Sequence, residues 1–268
     1  MTGQVHPVPR KHAGIAGRAE VSGTRLAGKV ALITGAAGGL GAEIARRFCE
    51  EGAAVFVSDV TAAPGEATAA AIGASYMRLD VTSEENWKSV LAAIVTRCGK
   101  LDVLINNAGI NIRKNIEEMP VESFDAMLAV NIRGPFLGIK HCLPIMRAAG
   151  GGVILNMSSV CGLIGHRYTN ETYTTTKGAL TLLTKSVATR YAKDNIRCVS
   201  LHPSTVETAF VQTLLKDPER RAERQREVPL GRLASPIDVA NAALFLASDE
   251  ASFINGVAFA VDGGATAG

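Results

Sequence analysis

Short apolar runs punctuate the chain at Val30–Ile33, Ala54–Ser58, Tyr76–Leu79, Val103–Ile105, Val153–Asn156, Cys198–Leu201 and Ala258–Val261. Most are apolar throughout, so the strands they predict must be covered on both faces. Between them the pattern takes a helical period. Gly41–Glu51 sets Ile44, Ala45 and Phe48 on one side, and Glu84–Cys98 follows Ser83, a good N-cap residue. Thr172–Lys193 is long and amphipathic, and Pro236–Ser248 follows Ser235 with proline at its first position. Ser123–Arg147 also reads as helix, but Gly134-Pro135 and Pro144 are expected to kink or break it. Strand and helix in alternation mean right-handed βαβ units. The prediction is a single α/β domain over residues 28–268, a doubly wound parallel sheet of about seven strands with helices on both faces. Residues 1–27 carry no period and read as a flexible N-terminal extension. Residues 206–230 break the rhythm just after a strand, where open α/β sheets bind ligands, and are expected to form a lid.

Composition narrows the function. The net charge of +3 resides in the first 28 residues, where Arg10, Lys11, Arg18 and Arg25 face Glu20 alone. The rest of the chain is balanced, which argues against a nucleic-acid-binding face. No apolar run approaches a membrane span, and the N-terminus lacks the apolar core of a secretory signal. The five cysteines include no C-x-x-C, and their odd count points to free thiols in a reducing compartment, the cytoplasm. The histidines are too scattered to build a zinc site, so no metal is expected.

The first strand runs into Thr34-Gly35-Ala36-Ala37-Gly38-Gly39-Leu40-Gly41, and a helix follows. Glycines there allow the tight turn, let the backbone approach a pyrophosphate, and let the helix pack on the sheet. Free N–H groups and the positive end of the helix dipole then face the phosphates. With a strand before it and a helix after it, this turn predicts a dinucleotide site in a Rossmann-like domain. Asp59 ends the second strand, 18 residues past Gly41. An acid there can accept both adenosine ribose hydroxyls and would repel a 2′-phosphate, which selects NAD over NADP. The plainer alternative is that Asp59 only closes its strand.

The spacing of Gly35, Gly39 and Gly41 resembles that of the short-chain dehydrogenase/reductase family, over nearly all of residues 28–264. Asp80-Val81 resembles the family's pair beside the adenine ring. Asn106-Asn107-Ala108-Gly109 resembles the segment that closes the fourth strand, and Asp262-Gly263-Gly264 resembles the family's ending. The resemblance implies cofactor contacts from Gly35, Gly39, Leu40, Gly41, Asp59, Asp80, Val81, Asn107, Ala108 and Gly109. It implies further contacts from Tyr173, Lys177, Pro203, Val206 and Thr208. Pro203-Ser204 departs from the family's usual Pro-Gly at this turn.

Tyr173 and Lys177 form Tyr-x-x-x-Lys within one helix, so both side chains share a face. A phenol is a poor base at neutral pH, and a nearby cation is expected to lower its pKa. Lys177 can also hold the nicotinamide ribose. The family's serine precedes x-x-Gly, which selects Ser159 over Ser158, and Ser159 would stabilise charge on the substrate oxygen. The interval from Ser159 to Tyr173 is 14 residues, one longer than in many members. Asn131 matches the family's fourth catalytic position and could hold a proton-relaying water, stabilise the helix kink beside Gly134, or do both. The expected catalytic set is thus Asn131, Ser159, Tyr173 and Lys177.

Substrate contacts are expected from Ser159, Cys161, His166, Tyr173 and Phe210. The lid's Phe210, Val211, Leu214 and Leu215 would give an apolar face, which favours an apolar or cyclic alcohol or ketone. Arg220, Arg221, Arg224 and Arg226 alternate with Glu219, Glu223 and Glu227, which reads first as a solvated, salt-bridged helix and second as a hint of an anionic substrate. The leading expectation is an NAD-dependent oxidoreductase interconverting a secondary alcohol and a ketone. A 3-oxoacyl thioester reductase is the alternative on the same scaffold, and a catalytically silent NAD-binding regulator is the alternative of another class. The family resemblance also implies a homo-oligomer, with a tetramer favoured.

Overall fold

The structure, a computed structural model, describes residues 24–268, apart from the side chains of Phe210, Thr213 and Leu214. The expected extension lies outside the described residues as far as position 23. Leu26 is already in the core and Arg25 pairs with Glu250, so the packed chain takes in residues before the expected boundary at 28.

Seven strands form one sheet: β1 Val30–Thr34, β2 Ala54–Asp59, β3 Ser75–Arg78, β4 Val103–Asn106, β5 Gly152–Met157, β6 Ile196–Pro203 and β7 Ala258–Val261. Their order is β3-β2-β1-β4-β5-β6-β7, and every pairing is parallel. The period-two geometry of a strand explains the continuous apolar runs. Ala31 and Ile33 of β1, Val103 and Ile105 of β4, and Leu155 of β5 enter one core layer with α1 Gly39–Glu50 and α9 Pro236–Ala247. Val30, Leu32, Leu104 and Ile154 enter the opposite layer. There they meet α3 Glu84–Cys98, α5 Gly134–Ala148 and α6 Glu171–Tyr191. Strand order reverses between β1 and β4, which opens a crevice above their carboxyl ends.

Two helical regions differ from the sequence-based expectation. A helix absent from it, α2 Ala62–Ile72, joins β2 to β3. Its alanine-rich sequence contains Pro64 and Gly65 and lacks an amphipathic period, and Gly65 is the residue that lets it lie on the Tyr76 ring. Over 121–148 the chain is helical without interruption. α4 Val121–Leu128 passes through a π-helical turn, Ala129–Arg133, into α5. The expected break at Gly134-Pro135 is instead this wider turn, and Pro144 sits inside α5 without ending it. Pro144 and Lys140 are both exposed, so the carbonyl that the proline leaves without a donor is on the solvent side. Within the region expected to be a lid, α7 Ala209–Leu215 and α8 Pro218–Arg226 follow β6.

Candidate active site

At the carboxyl end of β1, Gly35 and Gly39 adopt φ +63° and +57°, the left-handed conformation that glycine takes without strain. A Cβ on Gly35 would lie 2.7 Å from the Ala108 Cα. One on Gly41 would lie 2.6 Å from Asn107 Nδ2, so neither position tolerates a side chain. Asn107 is the reason the turn is so tight. Its Nδ2 donates to the carbonyls of Thr34 and Gly35, both at 2.9 Å, while its own N–H and that of Ala108 donate to Thr34 Oγ1. Asn107 therefore staples the end of β4 to the glycine turn.

The helix that follows is suited to an anion. Its N-cap, Gly38, supplies no side-chain acceptor, and the first turn of α1 carries no acid. Its opening N–H groups thus face the crevice uncapped. Asp59 accepts from the Ala37 N–H at 3.3 Å and the Thr61 hydroxyl at 2.7 Å, which fixes its carboxylate on the crevice wall. Asp80 accepts from the Thr82 N–H and hydroxyl through Oδ1 alone. At the end of β6, the buried Ser204 Oγ makes no hydrogen bond among the described residues. An uncapped helix end, two oriented carboxylates and an orphaned hydroxyl line one cleft of about 980 Å³, and together they fit a dinucleotide.

That cleft brings together the expected cofactor contacts, from Gly35 to Thr208, with Ser159, Cys161, His166, Tyr173 and Lys177. Phe210 lies in α7, and its side chain is outside the described residues. Asn131 does not line the cleft. It is 1% exposed and sits in the π-helical turn one layer behind the wall. Its Oδ1 accepts from the Ile110 N–H at 2.8 Å, and its Nδ2 donates to the Ile110 carbonyl at 2.9 Å and to Thr176 Oγ1 at 3.1 Å. Both amide protons are therefore committed to holding the 107–110 segment against α6, and the side chain acts as a positioning group.

Asn170 caps α6 by accepting from the Tyr173 N–H at 2.8 Å, which fixes where the tyrosine emerges. Ser159 lies near enough to the Tyr173 phenol to favour its charged form. Lys177 is buried, 5.4 Å from the centroid of the Tyr173 ring, and its ammonium donates to the Met157 carbonyl at 2.7 Å. Ser158, also on the cleft wall, commits its hydroxyl to the Lys177 carbonyl at 2.9 Å. The expected lowering of the Tyr173 pKa is not what the protein alone produces. Burial pushes the phenol up, the neighbouring Cys161 thiol adds to this, and Arg113 and Ser159 oppose it without winning. Burial also lowers Lys177, to about 8. Desolvation thus outweighs Arg113 and Ser159 at Tyr173 and Cys161 at Lys177.

Sequence reasoning missed several residues here. His202, fully buried on β6, donates through Nδ1 to the Ser159 carbonyl at 2.7 Å, and its Nε2 meets Ser200 Oγ at 2.8 Å. Burial lowers its pKa and favours the neutral ring that this pairing uses. Arg113 and Arg167 also line the cleft, and neither falls in a motif. Arg224, read first as part of a solvated helix and second as a hint of an anionic substrate, is 6% exposed and reaches the same cleft. Among the described residues no group of His, Cys, Asp and Glu could hold a metal ion.

With this geometry in view, comparison with known proteins agrees. A family model described as enoyl-(acyl carrier protein) reductase matches residues 35–266. The chain belongs to the short-chain dehydrogenase/reductase family and is an oxidoreductase. It is 40% identical over 249 residues to the 2,5-dichloro-2,5-cyclohexadiene-1,4-diol dehydrogenase of Sphingobium indicum, covering 91% of this chain and 98% of the relative. It is also 40% identical over 255 residues to the trans-4-hydroxycyclohexanecarboxylate dehydrogenase of Sinomonas cyclohexanicum, covering 91% and 95%. Among solved structures, that of gox2181 superposes with a TM-score of 0.89 at 28% identity, covering 91% of this chain and 98% of the other.

Proposed function

We propose that the chain is an NAD-dependent dehydrogenase of ring-borne secondary alcohols, with ketone reduction as the reverse reaction. The observation that carries this reading is the Ser159–Tyr173–Lys177 cluster, set in the same cleft as the glycine turn and Asp59. Both curated relatives described above act, by name, on hydroxyl groups of six-membered rings, which supports a cyclic substrate. Asp59 supports NAD, because its carboxylate suits two ribose hydroxyls and repels a 2′-phosphate.

Bound NAD would supply the hydride acceptor. The first turn of α1 would hold its pyrophosphate, Asp59 its adenosine ribose, Asp80 and Val81 its adenine, and Lys177 the second ribose. In oxidation, the Tyr173 oxygen takes the proton of the alcohol, and in reduction it returns it. Ser159 donates to the carbinol oxygen and stabilises charge developing there. Lys177, at about 8, changes protonation near neutral pH and is suited to passing a proton onward. Asn131 and His202 position the two walls that carry these groups, through Ile110 and the Ser159 carbonyl. A homotetramer in the cytoplasm completes the reading. Exposed Phe124, Phe136 and Leu182 on α4, α5 and α6 suit contact with further copies, and five free thiols suit a reducing compartment.

The test is absorbance at ~340 nm, where reduced nicotinamide absorbs, during incubation of the protein with cyclic secondary alcohols and NAD or NADP. Turnover with NAD and little with NADP is expected. Equal turnover with both dinucleotides would remove the role given to Asp59, and NADH binding without turnover of any alcohol or ketone would return the silent-regulator reading.

A further inference from the structure

The charges along the cleft are segregated. Its dinucleotide end presents Asp59 and Asp80, whereas beyond Tyr173 the wall presents Arg113, Arg167 and Arg224 against the single acid Glu227. The Arg224–Glu227 pair adjoins the reacting groups through a continuous line of contacts. Cys161, beside Tyr173, meets Thr169 at 3.4 Å; Thr169 meets His166 Nδ1 at 3.2 Å; and His166 Nε2 meets Glu227 at 3.4 Å.

The arginines are not equivalent. Arg224 donates to both Glu227 oxygens at 3.1 Å and lies 4.3 Å from the centroid of the Tyr168 ring, so its charge is matched locally. Arg167 stacks on the same ring at 5.1 Å and has no carboxylate within ion-pair distance among the described residues. Arg113 is near enough for its charge to favour the Tyr173 phenolate. Between them the wall is apolar, with Val160, Ile164, Val211 and Val228. Seating a neutral ring there would take solvent from the Arg167 guanidinium without replacing it. An oxyacid on the ring would instead receive charge-assisted hydrogen bonds.

We propose that the substrate carries an anionic oxyacid group, a carboxylate or a sulfonate, on its ring, and that Arg167 holds it with help from Arg113. This deepens the dehydrogenase reading and rests on it. The substrate-side wall then has two zones, an apolar one for the ring and a cationic one that sets its orientation relative to Tyr173.

The test uses unreactive ring compounds, so that it does not depend on turnover. Cyclohexanecarboxylate, cyclohexanesulfonate and the neutral cyclohexanecarboxamide are titrated calorimetrically into the NADH-bound protein. At least one anion is expected to bind about tenfold or more tightly than the amide, the scale of one charge-assisted hydrogen bond. The better of the two anions identifies the acid class. Arg167→Ala should abolish the preference and Arg167→Lys should restore part of it. Because Arg167 is exposed, neither variant threatens the fold. Equal binding of all three compounds overturns the proposal, as does an Arg167→Ala variant that weakens all three alike. In parallel, the wild type is assayed with hydroxycyclohexanecarboxylates and their methyl esters. Turnover of acids and esters at equal kcat/KM also overturns the anion proposal but leaves the dehydrogenase reading intact. Selective anion binding without turnover of any ring alcohol sinks the dehydrogenase reading and leaves the anion site standing.

Discussion

Asn131→Ala tests whether a side chain that does not line the cleft sets its shape. The substitution removes the bond from the Ile110 N–H, the bond to the Ile110 carbonyl and the bond to Thr176. Ile110 is half-buried, so its backbone donor and acceptor lose their protein partner where water reaches only in part. Each unsatisfied group costs about 1–3 kcal/mol, and partial hydration keeps the pair near the low end, about 2–4 kcal/mol in total. Against a total stability of about 5–15 kcal/mol, that loss is readily seen as a lower urea midpoint at unchanged slope. The same loosening displaces Ala108 and Gly109, which form the cleft wall beside the glycine turn, so NADH should bind more weakly. Asn131→Asp keeps an acceptor for the Ile110 N–H but turns a second oxygen on the Ile110 carbonyl, and it should behave no better. A variant that loses under about 1 kcal/mol of stability, keeps NADH affinity and still loses turnover would refute positioning and assign Asn131 directly to proton movement.

Three further outcomes follow from the site. Tyr173→Phe should lower kcat by about 10²–10⁴-fold, the scale of a lost general acid–base group, with NADH binding retained; near-normal turnover would remove Tyr173 from the chemistry. Asp59→Ala should raise the NADP-to-NAD ratio of kcat/KM by at least about tenfold, roughly 1.4 kcal/mol, by removing the charge that opposes a 2′-phosphate. An unmoved ratio would mean that Asp59 serves only its contacts with Ala37 and Thr61. Lys177 titrates near 8 in the folded chain and near its ordinary 10.5 when unfolded. Between these values the unfolded chain holds more protons, so stability should climb as pH rises through that window. Below it both states are protonated and the burial penalty is felt in full. Thermal melts of the NAD-free protein should show this climb, and Lys177→Met should flatten it; identical profiles would place the lysine in a more polar setting.

What the sequence revealed and what it hid divide along physical lines. Each strand was visible because a sheet covered on both faces needs apolar residues at successive positions, and both core layers draw on the same short runs. The glycine turn and the Tyr173–Lys177 pair were visible because their geometry is local: one φ above zero, one helical turn. The helix α2 escaped because its alanines satisfy a helix without producing a period, and Gly65 is there for the Tyr76 ring, which follows in the next strand. His202 and Arg224 escaped for a related reason. A histidine on a strand carries no signal, and an arginine among alternating charges only an ambiguous one, until the fold brings Ser159 to the first and Tyr168 to the second. The same limit explains the reversed expectation for Tyr173. The four-residue spacing identifies a cation near the phenol, but only the packed structure shows that its ammonium is turned to the Met157 carbonyl, with Lys177 buried and Tyr173 half-buried. Spacing along a helix fixes which charges can meet, whereas the sign of a pKa shift depends on the solvent that the rest of the fold removes. A site holding a nicotinamide cofactor would therefore have to draw on more than the Tyr173–Lys177 pair to favour the phenolate. Arg113 is the cationic side chain in this structure that already pushes in that direction.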